Sequence, residues 1–135
     1  MPSYGATLYD HKSGRFYLVG GQVGQNKCNT ILWYSPLKGW ESTTMSRARS
    51  SAMITALYDK SGNTYILIAG GVGEDKRHMK NCEMFCPNYN ICLPASQMNF
   101  AVTSGALVTF NDSVAFRIGG LGEFKQNMAS ICEIA

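Results

Sequence analysis

The residues with the greatest chemical potential in this chain are five cysteines, at positions 28, 82, 86, 92 and 132, and two histidines, His11 and His78. Cys82, Cys86 and Cys92, with His78 just upstream, have the composition of a zinc set, whose ligands must converge at about 2.3 Å on one ion. Extended chain opposes that convergence, because residues four apart on a strand stand roughly 13 Å from each other at ~3.3 Å per residue. A helix would bring them together, but Pro87 argues against one. The reading adopted is that the thiols fill a core as small hydrophobes. An odd number of cysteines, with no sign of export, also opposes a disulfide framework.

Two further chemistries fail on spacing. Gly20-Gly21-Gln22-Val23-Gly24 has the glycine content of a phosphate cradle, but neither a Gly-Lys-Ser/Thr nor a helical pattern follows, so no phosphate-loop or dinucleotide signature is met. His11 and His78 fall in loops of different kinds, and no nucleophile is spaced to use either. No catalytic residue, cofactor or metal ligand is therefore assigned. What remains is the segment Val72 to Lys80, the densest charge cluster in the chain, with Glu74, Asp75, Lys76, Arg77, His78 and Lys80. Its plain reading is a solvated loop; its functional reading is attraction of an acidic group by charge-assisted hydrogen bonds.

These residues sit within a repeat. Gly-Gly occurs at 20/21, 70/71 and 119/120, at intervals of 50 and 49 residues, and each pair closes an apolar run: Phe16 to Val19, Tyr65 to Ala69, Val114 to Ile118. Ahead of each run lie another apolar segment and a turn rich in Asp, Ser, Asn and Gly, such as Leu8-Tyr9-Asp10-His11-Lys12-Ser13-Gly14 and Leu57-Tyr58-Asp59-Lys60-Ser61-Gly62-Asn63, shortened to Phe110-Asn111-Asp112-Ser113 in the third copy. Such turns join antiparallel strands, so the two runs of each copy form a hairpin. The Asn111-Asp112-Ser113 triplet, which also has the form of a glycosylation acceptor, reads as one of these turns. A third strand follows a polar loop of about ten residues, at Ile31 to Tyr34, Cys82 to Phe85 and Cys132 to Ala135, and a fourth begins at Trp40 and Cys92. Cys82 and Cys132 take the position of Ile31, which supports the core reading of both.

This pattern resembles the kelch repeat: a Gly-Gly after the second strand, an aromatic near the end of the third, a Trp six or seven residues on, then a Met-x-x-x-Arg link. The first copy has all four in Gly20-Gly21, Tyr34, Trp40 and Met45 to Arg49. The second has Gly70-Gly71, Phe85 and Met98, but Cys92 in place of the Trp and Val102 in place of the Arg. The third has the glycines, with Ala135 in place of the aromatic. The resemblance implies an all-β fold, an incomplete arc of a kelch-type β-propeller with two full four-stranded blades and a three-stranded third. The repeats run from about 4 to 45, 51 to 98 and, truncated, 104 to 135. Propellers of this kind close with four to eight blades, so further blades or another chain are expected to complete the ring, and an open arc leaves apolar flanks in water. The resemblance also implies that Tyr34, Trp40 and Phe85 pack between blades and that Arg49 hydrogen-bonds structurally, whereas Arg47 has no such post and faces outward. The diglycines are expected to permit close backbone approach.

With 135 residues, 45% hydrophobic and 16% charged, the composition is that of one globular domain. No apolar run reaches the ~20 residues of a membrane span, the N-terminus lacks a secretory pattern, and a net charge of +3 is too small for a nucleic-acid binder. The expectation is a cytoplasmic, noncatalytic interaction module with a protein partner, in particular an acidic peptide segment. In kelch-like propellers the loops after each Gly-Gly and the links between repeats share one rim, which would gather Lys27, Arg47, Lys76, Arg77, His78, Lys80 and Lys125. The alternatives are a fragment of a kelch-propeller enzyme, sugar- or metal-dependent, and a structural subunit completed by another chain.

Overall fold

A computed structural model describes residues 3–98, 101–122 and 131–133. Among these the chain is all-β, without helix, and no helix is long and apolar enough to cross a membrane. The strands are β1 (Ala6–Asp10), β2 (Arg15–Val19), the short hairpin β3 (Gln22–Val23) and β4 (Asn26–Lys27), β5 (Thr30–Ser35), β6 (Gly39–Thr44), β7 (Met53–Tyr58), β8 (Thr64–Ala69), β9 (Cys82–Cys86) and β10 (Ile91–Ala95). Then come β11 (Val102–Thr103), β12 (Ala106–Phe110), β13 (Val114–Ile118), β14 (Leu121–Gly122) and β15 (Ile131–Glu133). Three larger antiparallel sheets result, β1-β2-β5-β6, β7-β8-β9-β10 and β12-β13-β15, with the two-stranded pairs β3-β4 and β11-β14 beside them. The expected final strand of the third copy is present over Ile131–Glu133; its last two residues lie outside the described residues. Inside the first polar loop β3 and β4 form a hairpin that the sequence pattern does not announce.

Burial explains why the copies read differently. The second sheet lies between the other two, so its strand β8 is apolar almost throughout, and Ile66, Leu67, Ile68 and Ala69 are all inaccessible. The third sheet is covered on one face only, and β12 alternates exposed and half-buried positions. Two cores follow. Tyr17, Val19, Ile31, Trp33 and Met45 of the first copy meet Ala56, Ile66, Ile68 and Phe85 of the second. Leu57, Leu67, Ala69, Cys82 and Met98 of the second meet Val102 and Ala115. The core reading thus holds for Cys82, and Cys86 is buried as well.

Two of the aromatics expected between sheets are not there. Phe85 is fully buried against Trp33, with ring centroids 5.0 Å apart, but Tyr34 and Trp40 are 40% and 61% exposed and meet each other in a tilted contact at 5.3 Å. Side chains alternate along β5, so burying Trp33 against the second sheet turns Tyr34 to the opposite face, which no sheet among the described residues covers.

The diglycines form the same corner three times. Their φ angles are +65° and +104° at Gly20-Gly21, +67° and +99° at Gly70-Gly71, and +65° and +109° at Gly119-Gly120. At the first two corners the leading glycine donates its N–H to a carbonyl at the start of the third strand, Thr30 or Asn81, and the trailing glycine donates to the incoming link of the next copy, at Arg49 or Val102. A Cβ on Gly70 would collide with the Val102 carbonyl. The close backbone approach expected of these pairs is therefore realised at the first two corners, at a left-handed conformation that glycine alone adopts without strain, whereas a Cβ on Gly119 would meet nothing within 4 Å among the described residues.

Candidate functional site

In an up-and-down sheet the second-to-third-strand loop and the link to the next sheet leave from one end, and the hairpin turns from the other. At the loop end lies a cavity of about 610 Å³, walled by the link Ser46, Arg47 and Ala48, by the loop from Gly73 to Asn81, and by Gln97 and Ala101. Four of the residues singled out from sequence, Arg47, Arg77, His78 and Lys80, line it together, with Glu74 and Asp75 beside them.

The loop is tightly self-bonded. The Gly73 N–H donates to the Arg77 carbonyl, the Lys76 N–H to the Gly73 carbonyl, and the Arg77 N–H to the Asp75 carboxylate, each at 3.0 Å. Lys76 takes a left-handed φ of +64° at the tip and is exposed, outside the cavity wall. Val72 bridges to both Ser50 and His78, and the Met79 N–H returns to the Gly71 carbonyl, so the loop base is pinned to the glycine corner. His78 is half-buried, and its Nδ1 is enclosed with no hydrogen-bond partner among the described residues.

Behind the cavity sits a residue pair that sequence reading saw only in part. Arg49 is fully buried, as its structural role required. Its guanidinium donates to the carbonyls of Gly70 and Asn81, both at 3.0 Å, to the Asn81 side chain, and to Glu83 at 2.6 Å. Glu83 in turn accepts the N–H of Ser46 at 2.8 Å and of Arg47 at 3.3 Å. One buried ion pair thereby fixes both walls, the link through Glu83 and the end of the loop through Arg49. Burial alone would raise the Glu83 carboxyl, but the Ser46 N–H and the Arg49 charge hold it below the usual carboxylate range. Cys92, donating its thiol to Glu83 at 3.3 Å, is pushed up to about 12 by burial and by that carboxylate. Glu83 was legible as an anomaly: a carboxylate on an otherwise apolar strand must find a partner.

The other anticipated cations stand apart. Lys27 donates to Gln22 and Ser50 at 2.6 and 3.0 Å and borders a smaller cavity of about 360 Å³ with Gln25, Asn26 and Glu74. Lys125 lies outside the described residues. Two ion pairs occur among the described residues, Arg49–Glu83 and Lys12–Asp112, so neither engages Arg47, Arg77 or Lys80. Also among the described residues, no three His, Cys, Asp or Glu side chains converge in a way that could hold a metal ion. No protein-family model matches the chain, and no curated protein matches it.

Proposed function

We propose that the chain is an arc of a kelch-type β-propeller acting as a noncatalytic protein-interaction module, and that its cavity at the loop end receives an acidic segment of a partner protein. Three features support the propeller part: the recurring glycine corner, the adjacency of the leading strands β1, β7 and β12, and the meeting of hairpin turns at the opposite end. There Lys12 reaches Asp112 at 2.9 Å and lies 4.0 Å above the Tyr58 ring, so turns from all three sheets draw together. The recognition part is carried by one observation, three cations without an ion-pair partner among the described residues, lining a single cavity backed by the buried Arg49–Glu83 pair. Carboxylates entering it would form charge-assisted hydrogen bonds, roughly twice as strong as neutral ones. Loops held by a sheet scaffold are the usual seat of recognition.

The test uses a fluorescein-labelled dodecapeptide of glutamate and aspartate, titrated by fluorescence anisotropy. Wild type should bind with an affinity that falls as salt is raised from about 20 to 300 mM, since screening lengths shrink over that range. The triple variant Arg47→Glu, Arg77→Glu, Lys80→Glu should raise Kd at least about tenfold, equivalent to ~1.4 kcal/mol. Lys38→Glu, at the exposed turn of the opposite end, should leave it unchanged. Equal affinity for wild type and the triple variant would remove the proposal.

A further inference from the structure

The aromatics on the outer face of the first sheet, of which Phe16 is half-buried and the others exposed, form an ordered row. Cross-strand register aligns Tyr9 with Phe16, Phe16 with Tyr34, and Tyr34 with Trp40, one residue from each strand. In the second sheet the same register aligns Ala56, Ile66, Phe85 and Cys92. That second row is the surface which packs on the first sheet, against Tyr17 and Trp33. The first sheet therefore repeats, in larger and more aromatic form, a surface whose use inside the molecule is to receive the far face of a preceding sheet. In the first sheet it is open, with Tyr9 and Trp40 both 61% exposed.

The complementary surface is open at the other end. Tyr17 and Trp33, which cover the second sheet, correspond in register to Leu67 and Met84 there, and in the third sheet the equivalent of Leu67 is Phe116, paired with Val108. Leu67 is buried toward the third sheet, whereas around Phe116 the side chains of Val108, Phe110 and Ile118 are 46%, 58% and 46% exposed. Phe110 and Phe116 meet edge-on at 6.4 Å. The chain thus carries one unfilled receiving face and one unfilled covering face, of the two kinds that already mate twice within it.

We propose that two copies of this chain associate head to tail, the Val108–Phe110–Phe116 face of each covering the Tyr9–Tyr34–Trp40 face of the other, to close a six-bladed ring. The proposal rests on the propeller reading above. Two three-sheet arcs give six blades, inside the range in which such rings shut, and a contact between unlike faces closes when its rotation completes the circle. Nothing in this assembly uses the cavity cations, so it stands or falls separately from peptide recognition.

The experiment is the mass of the 135-residue chain by light scattering and sedimentation, with circular dichroism on the same samples to read its sheet content independently. Wild type should have the mass of two 14.8 kDa chains. Trp40→Glu and Phe110→Glu, each at an exposed site, should each reduce it to one chain with sheet content unchanged. Mixing the two variants should restore a pair, because the intact covering face of the Trp40→Glu chain meets the intact receiving face of the Phe110→Glu chain. A wild-type monomer at tens of micromolar with intact sheet signal would overturn the ring while leaving the arc. A concentration-dependent ladder, or a dimer broken by Trp40→Glu but not by Phe110→Glu, would also overturn it.

Discussion

Glu83 and Arg49 show how a pair 34 residues apart can govern a site that neither lines. Both are buried and mutually charged, and each satisfies backbone groups of a different cavity wall. Such a pair contributes little net stability over apolar residues of the same volume, but removing one member leaves a bare charge in the interior, at a cost of about 3–5 kcal/mol. Glu83→Leu should therefore lower the unfolding free energy by that amount, read in urea as a lower midpoint at constant slope. Arg49→Met combined with Glu83→Leu should cost less than the sum of the single changes, and strictly additive effects would refute the coupling. That Val102 replaces the arginine at the next link, where the corner hydrogen bond from Gly71 still forms at 3.2 Å, shows that the corner itself does not need the charge.

At the scale of the element, the strands, hairpins and glycine corners were legible because their causes are local: apolar runs, turn residues and a backbone region open to glycine. Gly14 and Gly70 separate two of those causes. Both are left-handed, at φ +71° and +67°, but a Cβ on Gly14 meets nothing within 4 Å, whereas one on Gly70 meets the Val102 carbonyl and the Met98 methyl. Gly14→Ala should cost about 1–2 kcal/mol, the left-handed penalty. Gly70→Ala should cost clearly more, and thermal unfolding that ranks them equally would contradict the corner geometry. What the sequence could not tell was longer in range. The exposure of Tyr34 and Trp40 depends on which sheets exist to cover them, and the engagement of Lys27 depends on Ser50 arriving from the link to the next copy. The gathering of Arg47 with Arg77, His78 and Lys80 was foreseen only through the resemblance, since link and loop are some thirty residues apart.

For the molecule as a whole, two buried carboxylates join the first and second sheets at opposite ends, Glu83 at the loops and Asp10 at the turns. Burial would raise Asp10, but hydrogen bonds from Ser13, Tyr58, the Lys12 N–H and Thr64 overcome it and hold the carboxyl low. Groups depressed in this way stabilise the fold fully above the ordinary carboxylate range, near pH 4, and that stabilisation disappears as pH falls through their folded values. Tm should therefore be nearly flat from pH 7 to 5 and fall below about 4, with Asp10→Asn showing a smaller drop between pH 7 and 3 than wild type. An unaltered drop would mean that Asp10 is not a source of the acid sensitivity. The first two glycine corners, finally, each hand one N–H forward to a carbonyl that the chain leading into the next unit brings with it. Duplicating a whole unit in frame would supply the new donor and its acceptor together, so lineages could lengthen or shorten the arc by recombination without orphaning a single peptide group.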